Sequence, residues 1–303
     1  MSIMPPVRLA ALLLALVVAA CGSSLLPAGD GDAGDGLTPP VTDAPLNQAH
    51  AHNDYEHARP LFDALDHGFM STEADVYASP IAIPGVTDAL YVAHDPQDIN
   101  PARTLRALYL DPMYALFSDT GVIQPGQTQP FQLLIDFKTA AESTWSRLEE
   151  TLEDYAAMLT VYEDGVVTPG AVTVVISGNR PVDTLAAAGR RLAFIDGRLS
   201  DLENAPPVEL YPLISDNWTS HFSWNGEGDM PADESQQLDA IMTQAGAIGY
   251  RIRFWATPDT PGDARTALWT RLADAGVHHL NTDDLAGLEA FLRARQGTFD
   301  QES

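Results

Sequence analysis

Four short clusters in the first half of the chain carry residues able to move protons or hold an ion. They are His50-Ala51-His52-Asn53-Asp54-Tyr55, Glu73-Ala74-Asp75, His94-Asp95 and Asp136-Phe137-Lys138. Imidazole changes charge near neutral pH, so His52 and His94 suit acid–base work. In an extended strand, residues two apart share a face, which pairs Glu73 with Asp75 and Asp136 with Lys138. Carboxylates on one face repel and want a cation between them. Hard oxygen ligands of this kind suit Mg²⁺ or Ca²⁺. Lys138 is the only lysine among 16 basic residues. Its compact ammonium makes a point contact that a planar guanidinium does not reproduce. Beside Asp136, it could face the same cation and a substrate phosphate.

This set of groups fits attack on a phosphodiester, whose negative oxygens repel nucleophiles. A cation held by Glu73, Asp75 and Asp136 would neutralise that charge, and Lys138 would add a second positive point. One histidine activates a nucleophile and the other protonates the leaving oxygen. His52 is assigned to the base side and His94 to the acid side, with the reverse order open. A neighbouring substrate hydroxyl would give a cyclic phosphate; water would give hydrolysis.

The elements that must position these groups follow from hydrophobic pattern. Short apolar runs at 47–52, 69–76, 131–137, 171–177, 192–195, 210–215, 250–255 and 278–282 read as strands, with an additional strand at 89–94. Amphipathic stretches at 142–159, 181–190, 234–245, 264–275 and 285–295 read as helices. Regular alternation implies an α/β fold with a parallel sheet, and eight such units suggest a (β/α)₈ TIM-type barrel. A doubly wound open sheet is the alternative. In a barrel the strand C-termini carry the chemistry, and here those ends are polar. Later strand ends add Arg198, Asn217 and Trp255 as candidates for substrate contact. Trp218 and Trp224, flanking His221, are candidates for a lid.

The chain has 303 residues and a formal charge of -26, from 16 Lys+Arg against 42 Asp+Glu. So acidic a surface disfavours nucleic acid. Residues 1–20 read as a lipoprotein signal peptide, with Arg8 before an apolar run ending in small residues. Val18-Ala19-Ala20-Cys21-Gly22 resembles the bacterial lipobox. Cys21, the only cysteine, would then carry a lipid that anchors the protein on a membrane in the bacterial cell envelope, outside the cytoplasm. Residues 21–45, rich in Gly and Asp, read as a flexible tether, and 46–303 as one catalytic barrel domain.

The order His52-Asn53, Glu73-x-Asp75, His94-Asp95, Asp136-x-Lys138 resembles the phosphatidylinositol-phospholipase-C-like phosphodiesterase superfamily. That superfamily includes glycerophosphodiester phosphodiesterases and sphingomyelinase D toxins. The opening Ala49–Tyr55 and the following Arg59-Pro60-Leu61-Phe62-Asp63-Ala64-Leu65 look most like its altered inheritance of mitochondria protein 6 branch. The resemblance covers roughly residues 46 to 296. It implies a distorted barrel, one divalent cation, and two catalytic histidines acting on a small-molecule or lipid phosphodiester. Residue by residue it implies His52 and His94 as catalytic, Glu73, Asp75, Asp136 and Asn53 as metal ligands, and Lys138 as a phosphate contact. Asn53-Asp54 stands where the glycerophosphodiesterase signature has Arg-Gly, which argues against glycerophosphodiesters as substrates. Two other readings compete. His50-x-His52 also opens metal-dependent amidohydrolase barrels, although the middle strands here lack their histidines and lysine. A surface protein that binds a phosphorylated ligand without turnover would not need the histidine pair.

Overall fold

A computed structural model describes residues 44–78 and 89–302. Twelve strands follow in chain order: β1 Ala49–Ala51, β2 Ser71–Ala78, β3 Leu90–Val92, β4 Phe131–Phe137, β5 Val161–Glu163, β6 Val166–Thr168, β7 Val172–Gly178, β8 Arg190–Arg191, β9 Ala193–Gly197, β10 Leu213–Asn217, β11 Arg251–Trp255 and β12 Leu280–Thr282. Eight of them run parallel in the order β11-β10-β9-β7-β4-β2-β1-β12, with β3 antiparallel on β2. A parallel bridge between Arg253 and His279 joins the two ends. The barrel expected from the alternation is therefore nearly closed, and its seam between β11 and β12 is thin. The small antiparallel sheet of β6, β5 and β8 lies off this ring. The apolar pattern did not separate it from the neighbouring helical stretch.

The central strands are almost continuously apolar because both faces are covered. In β4, Leu133, Ile135 and Phe137 belong to the main core, while Leu134 belongs to a small cluster with Val175 and Leu213. Register sets the height of the polar groups: Glu73 lies opposite Leu134, Asp75 opposite Asp136, and Asp136 opposite Ser177. By register Glu73 is thus level with the small apolar cluster, and Asp75 and Asp136 lie two residues further toward the strand ends. Helices α1 Phe62–Asp66, α2 Asp111–Thr120, α3 Ala141–Glu153, α4 Val182–Ala187, α5 Trp218–His221, α6 Ala232–Ile248, α7 Asp263–Asp274 and α8 Leu285–Glu302 connect the strands. In α3, Trp145, Leu148 and Leu152 form the buried stripe expected at helical spacing. Between β9 and β10 the connection is only a 3₁₀ turn, Leu199–Glu203, so the ring of helices is incomplete there.

Two local devices hold the mouth in shape. Gly178, at the end of β7, has φ of +65°. A Cβ there would collide with Asp136 Oδ1 and sit 2.6 Å from the Phe137 carbonyl oxygen. The turn after β1 is pinned by Asp54, which is fully buried. Asp54 Oδ2 accepts the Leu61 N–H at 2.6 Å and the Tyr109 hydroxyl at 2.8 Å, while Oδ1 has no partner. Burial pushes the Asp54 carboxyl from 3.8 up to about 7.

Gly178→Ala should destabilise the fold by roughly 1–3 kcal/mol, the usual strain of a left-handed non-glycine residue with a clash, seen as a lower thermal midpoint. Unchanged stability would mean the strand end is not held as described. The Asp54 proton gives a second expectation. Its folded pKa lies above its unfolded one, so between pH 4 and pH 7 the folded state binds more protons and stability falls as pH rises. Asp54→Asn should flatten the decline in urea midpoint between pH 4 and 7, the window of that titration. An identical slope in the variant would assign the dependence to other groups.

Candidate active site

The barrel mouth holds a cavity of about 350 Å³. Its lining draws on every cluster singled out above: His52 and Asn53 after β1, Glu73 and Asp75 on β2, His94 after β3, and Asp136 and Lys138 from β4. Ser177, Arg198, Arg253 and Trp255 come from later strand ends. The structure therefore brings together residues up to about two hundred positions apart, as barrel closure requires.

Glu73, Asp75 and Asp136 each direct a carboxylate oxygen to a common point, all within 4.8 Å of one another. The three carboxylates are also faced by internal cations. Arg253 Nη2 donates to Glu73 Oε2, and Arg253 Nε donates to Asn281 Oδ1 at 2.8 Å. Lys138 Nζ lies 2.9 Å from Asp75 Oδ2 and 3.4 Å from Asp136 Oδ1. Burial opposes the Glu73 charge, but Arg253 and the His50 hydrogen bond hold its carboxyl well below the usual range. Burial, with Glu73 nearby, instead raises Asp75 to about 6. Burial also raises Asp136. Burial works against the Lys138 charge, yet Asp75 and Asp136 carry its pKa above the ordinary value.

These residues fit a divalent cation. Asp75 is 1% exposed, and its Oδ1 has no hydrogen-bond partner. A buried carboxylate oxygen without a donor, in a residue clustered with two other carboxylates, has the chemistry of a cation ligand. Asn53 stands at the rim with φ of 47°, and its Oδ1 lies 2.9 Å from the Tyr55 hydroxyl.

The histidines differ in their partners. His52 Nδ1 lies 2.8 Å from Asp283 Oδ1. The Asn53 amide nitrogen, 3.4 Å away, also donates to that carboxylate. His94 Nδ1 lies 3.0 Å from Tyr55 Oη and 3.4 Å from Asp75 Oδ2. Asp283, Tyr55 and Arg253 were not among the residues that spacing had singled out for these roles. Asp283 is 231 residues from His52 and sits just past β12, so only its position at a strand end hinted at it.

Some expectations are corrected. Asn217 does not line the cavity: its Oδ1 accepts the Thr219 N–H at 2.9 Å and hydroxyl at 2.8 Å, capping α5. Trp218 and Trp224 form no lid. Trp218 is buried, stacks on Phe222 at 4.0 Å, and donates from Nε1 to the Trp224 carbonyl at 2.8 Å. Arg198 does reach the cavity, held by Asp196 Oδ2 at 2.9 Å. His50 points away from amidohydrolase chemistry. It is fully buried between Ser71 Oγ at 2.7 Å and Glu73 Oε2 at 3.2 Å, and burial with Arg253 lowers its pKa to about 3.

A family model for the AIM6-like phosphodiesterase domain matches residues 41–196. Relatives span most of the chain. The altered inheritance of mitochondria protein 6 homolog of Arthroderma benhamiae is 29% identical over 272 residues, 80% of this chain and 82% of that protein. The altered inheritance of mitochondria protein 6 of Eremothecium gossypii is 29% identical over 278 residues, 81% and 69% of the two chains. That of Saccharomyces cerevisiae strain YJM789 is 28% identical over 274 residues, 78% and 68%. Among solved structures, phosphatidylinositol-specific phospholipase C from Listeria monocytogenes is similar at 10% identity and a TM-score of 0.46. It covers 85% of this chain and 96% of that one, a likeness too loose to add to the geometry.

The relatives are fungal proteins, which overturns the expected bacterial cell-envelope location. The signal peptide and the Cys21 anchor lie outside the described residues, as does the tether except for Ala44 and Pro45. An apolar run before small residues is an address whose reader depends on the cell, so pattern alone does not set the destination. Among the described residues no helix is long and apolar enough to cross a membrane. With the family match spanning just over half its length and the site assembled in a parallel barrel, the chain belongs to the AIM6-like phosphodiesterase domain family.

Proposed function

We propose that this phosphodiesterase is metal-dependent and hydrolyses a small or lipid-derived phosphodiester by two-histidine acid–base catalysis. The observation that carries the reading is the convergence of Glu73, Asp75 and Asp136, with an unpartnered Asp75 oxygen, beside the Lys138 ammonium. Glu73, Asp75 and Asp136, with Asn53 at the rim, would hold one divalent cation, Mg²⁺ or Ca²⁺, which when bound supplies charge neutralisation for the phosphate.

The protein's own groups do the rest. Lys138 and Arg198 face the phosphate oxygens as fixed positive charges in a partly dry site, where such charges act most strongly. Asp283 keeps the proton of His52 on Nδ1, which leaves Nε2 free to accept a proton from the attacking water. His94 gives its proton to the leaving oxygen. A phosphorus–oxygen bond to water forms and the bond to the alcohol breaks, so the products are a phosphomonoester and an alcohol. A cavity of about 350 Å³ suits a phosphorylated headgroup, and Trp255 in its lining offers an apolar wall to the headgroup carbons. The strongly negative surface, at a formal charge of -26, makes nucleic acid a poor substrate.

Asp136→Asn should lower Mg²⁺ or Ca²⁺ affinity by about 10-fold or more, since a charged hard ligand is lost. Glu73→Gln should do the same, with some loss of stability because it leaves Arg253 buried without its partner charge. Calorimetry showing unchanged affinity for both ions in both variants would refute the cation site. His52→Ala and His94→Ala should each cut turnover by about 10²–10⁴-fold, the worth of a positioned acid or base. Metal binding should survive in both. An ester with a nitrophenyl leaving group needs little protonation and should partly rescue His94→Ala alone. Phosphorus NMR of the products would separate hydrolysis from cyclisation. Full activity of either variant on an alkyl ester would remove the two-histidine mechanism.

A further inference from the structure

Tyr55 is buried against three residues that line the site, yet nothing in the mechanism above uses it. Its hydroxyl oxygen is 2.7 Å from Asp75 Oδ2, 2.9 Å from Asn53 Oδ1 and 3.0 Å from His94 Nδ1. The residue is 1% exposed. Arg103 Nη2 donates to its backbone carbonyl, and the buried Asp54 beside it fixes the turn. The His94 backbone is held as well, its carbonyl accepting from the Tyr77 hydroxyl at 2.9 Å.

A phenol has one hydrogen to give and two lone pairs to receive. Three neighbours compete, and two of them, the Asp75 and Asn53 oxygens, can only accept. The shortest contact is to a carboxylate that also faces the Lys138 ammonium at 2.9 Å, so the hydrogen goes to Asp75 as a charge-assisted bond. His94 Nδ1 can then join the phenol oxygen only by donating its own proton. Nε2, which has no partner among the described residues, becomes the nitrogen that exchanges a proton with substrate. Asn53 Oδ1, with no hydrogen left for it, stays an open acceptor.

We infer that Tyr55 is a positioning residue that fixes neutral His94 as the Nδ1–H tautomer and so leaves Nε2 as the nitrogen that exchanges a proton with substrate. The inference rests on the two-histidine reading. Its physical basis is the hydrogen-bond arithmetic of the phenol: with its one hydrogen on Asp75, its oxygen can only accept from His94 Nδ1. Tyr55 thus links His94 to the carboxylate cluster, whose Asp75 Oδ2 also lies 3.4 Å from His94 Nδ1.

The test has one arm that needs no turnover. Long-range ¹⁵N–¹H NMR of wild-type protein without substrate should show His94 with its proton on Nδ1. A proton on Nε2 in neutral His94 would overturn the inference whether or not the protein proves active. The second arm is Tyr55→Phe, with thermal melting to confirm folding. On an alkyl phosphodiester its turnover should fall about 10-fold, the worth of one positioned hydrogen bond, with KM changed less than about 2-fold. On a nitrophenyl ester it should fall less than about 2-fold, because that leaving group needs no acid. Equal losses on both substrates would mean a merely structural tyrosine and would also overturn the inference. If Tyr55→Phe does not fold, the wild-type tautomer still decides. If no phosphodiester is turned over, the proposed function fails while the tautomer measurement stands apart from it.

Discussion

Three carboxylates meeting in a partly dry barrel mouth are the constraint on which the rest of this structure depends. Burial alone would drive protons onto Glu73, Asp75 and Asp136. Arg253 and Lys138 counter this, each charge set against one side of the cluster. Three negative charges against two positive ones leave a local excess of one, gathered around the unpartnered Asp75 oxygen. The site is thus near neutrality without being complete, a state that suits a cation followed by an anionic substrate. A cluster with no internal cations would have stayed protonated or repelled itself apart.

The same balance ties the chemistry to the fold. Arg253 sits on β11 at the barrel seam, where the strand ring is joined by one parallel bridge and a few backbone bonds. Its guanidinium reaches Asn281 on β12 and Glu73 on β2. One buried side chain therefore braces the weakest point of the ring and holds a site carboxylate. On the far side, Asp196 gathers Ser177 and Ser215 and aligns Arg198 from β9. Polar groups that look like interior faults in a list of residues form two braces, one on each side of the cavity. Buried networks of this kind are tolerated only when nearly every group has a partner.

The exceptions are informative. His279 is fully buried and neither ring nitrogen has a hydrogen-bond partner; it rests edge-on to His50 at 5.8 Å, with a pKa driven well down by burial. It fills the barrel as a neutral ring below the site. Asp54, by contrast, keeps a proton near neutral pH because its two bonds do not offset its burial. Both lie next to residues of the mouth and neither faces the cavity, so polarity alone does not separate working groups from structural ones.

Much of this was legible from sequence because it is local. Period-two alternation put Glu73 with Asp75 and Asp136 with Lys138, and the alternation of strands and helices implied the barrel and hence strand-end chemistry. Register and closure are not local. The pairing of Asp283 with His52, and of Arg253 with Glu73, spans 231 and 180 residues and exists only because β12 returns beside β1 and β11 completes the ring. Asn217 and Trp218 show the converse. Their types and strand-end positions suit a site, but a helix cap and an aromatic stack engage them instead. Sequence determined which ionisable residues the chain carries and on which strands they ride. The tertiary structure decided which charges face each other, because electrostatic energy depends on distances of a few ångströms that only the closed barrel sets.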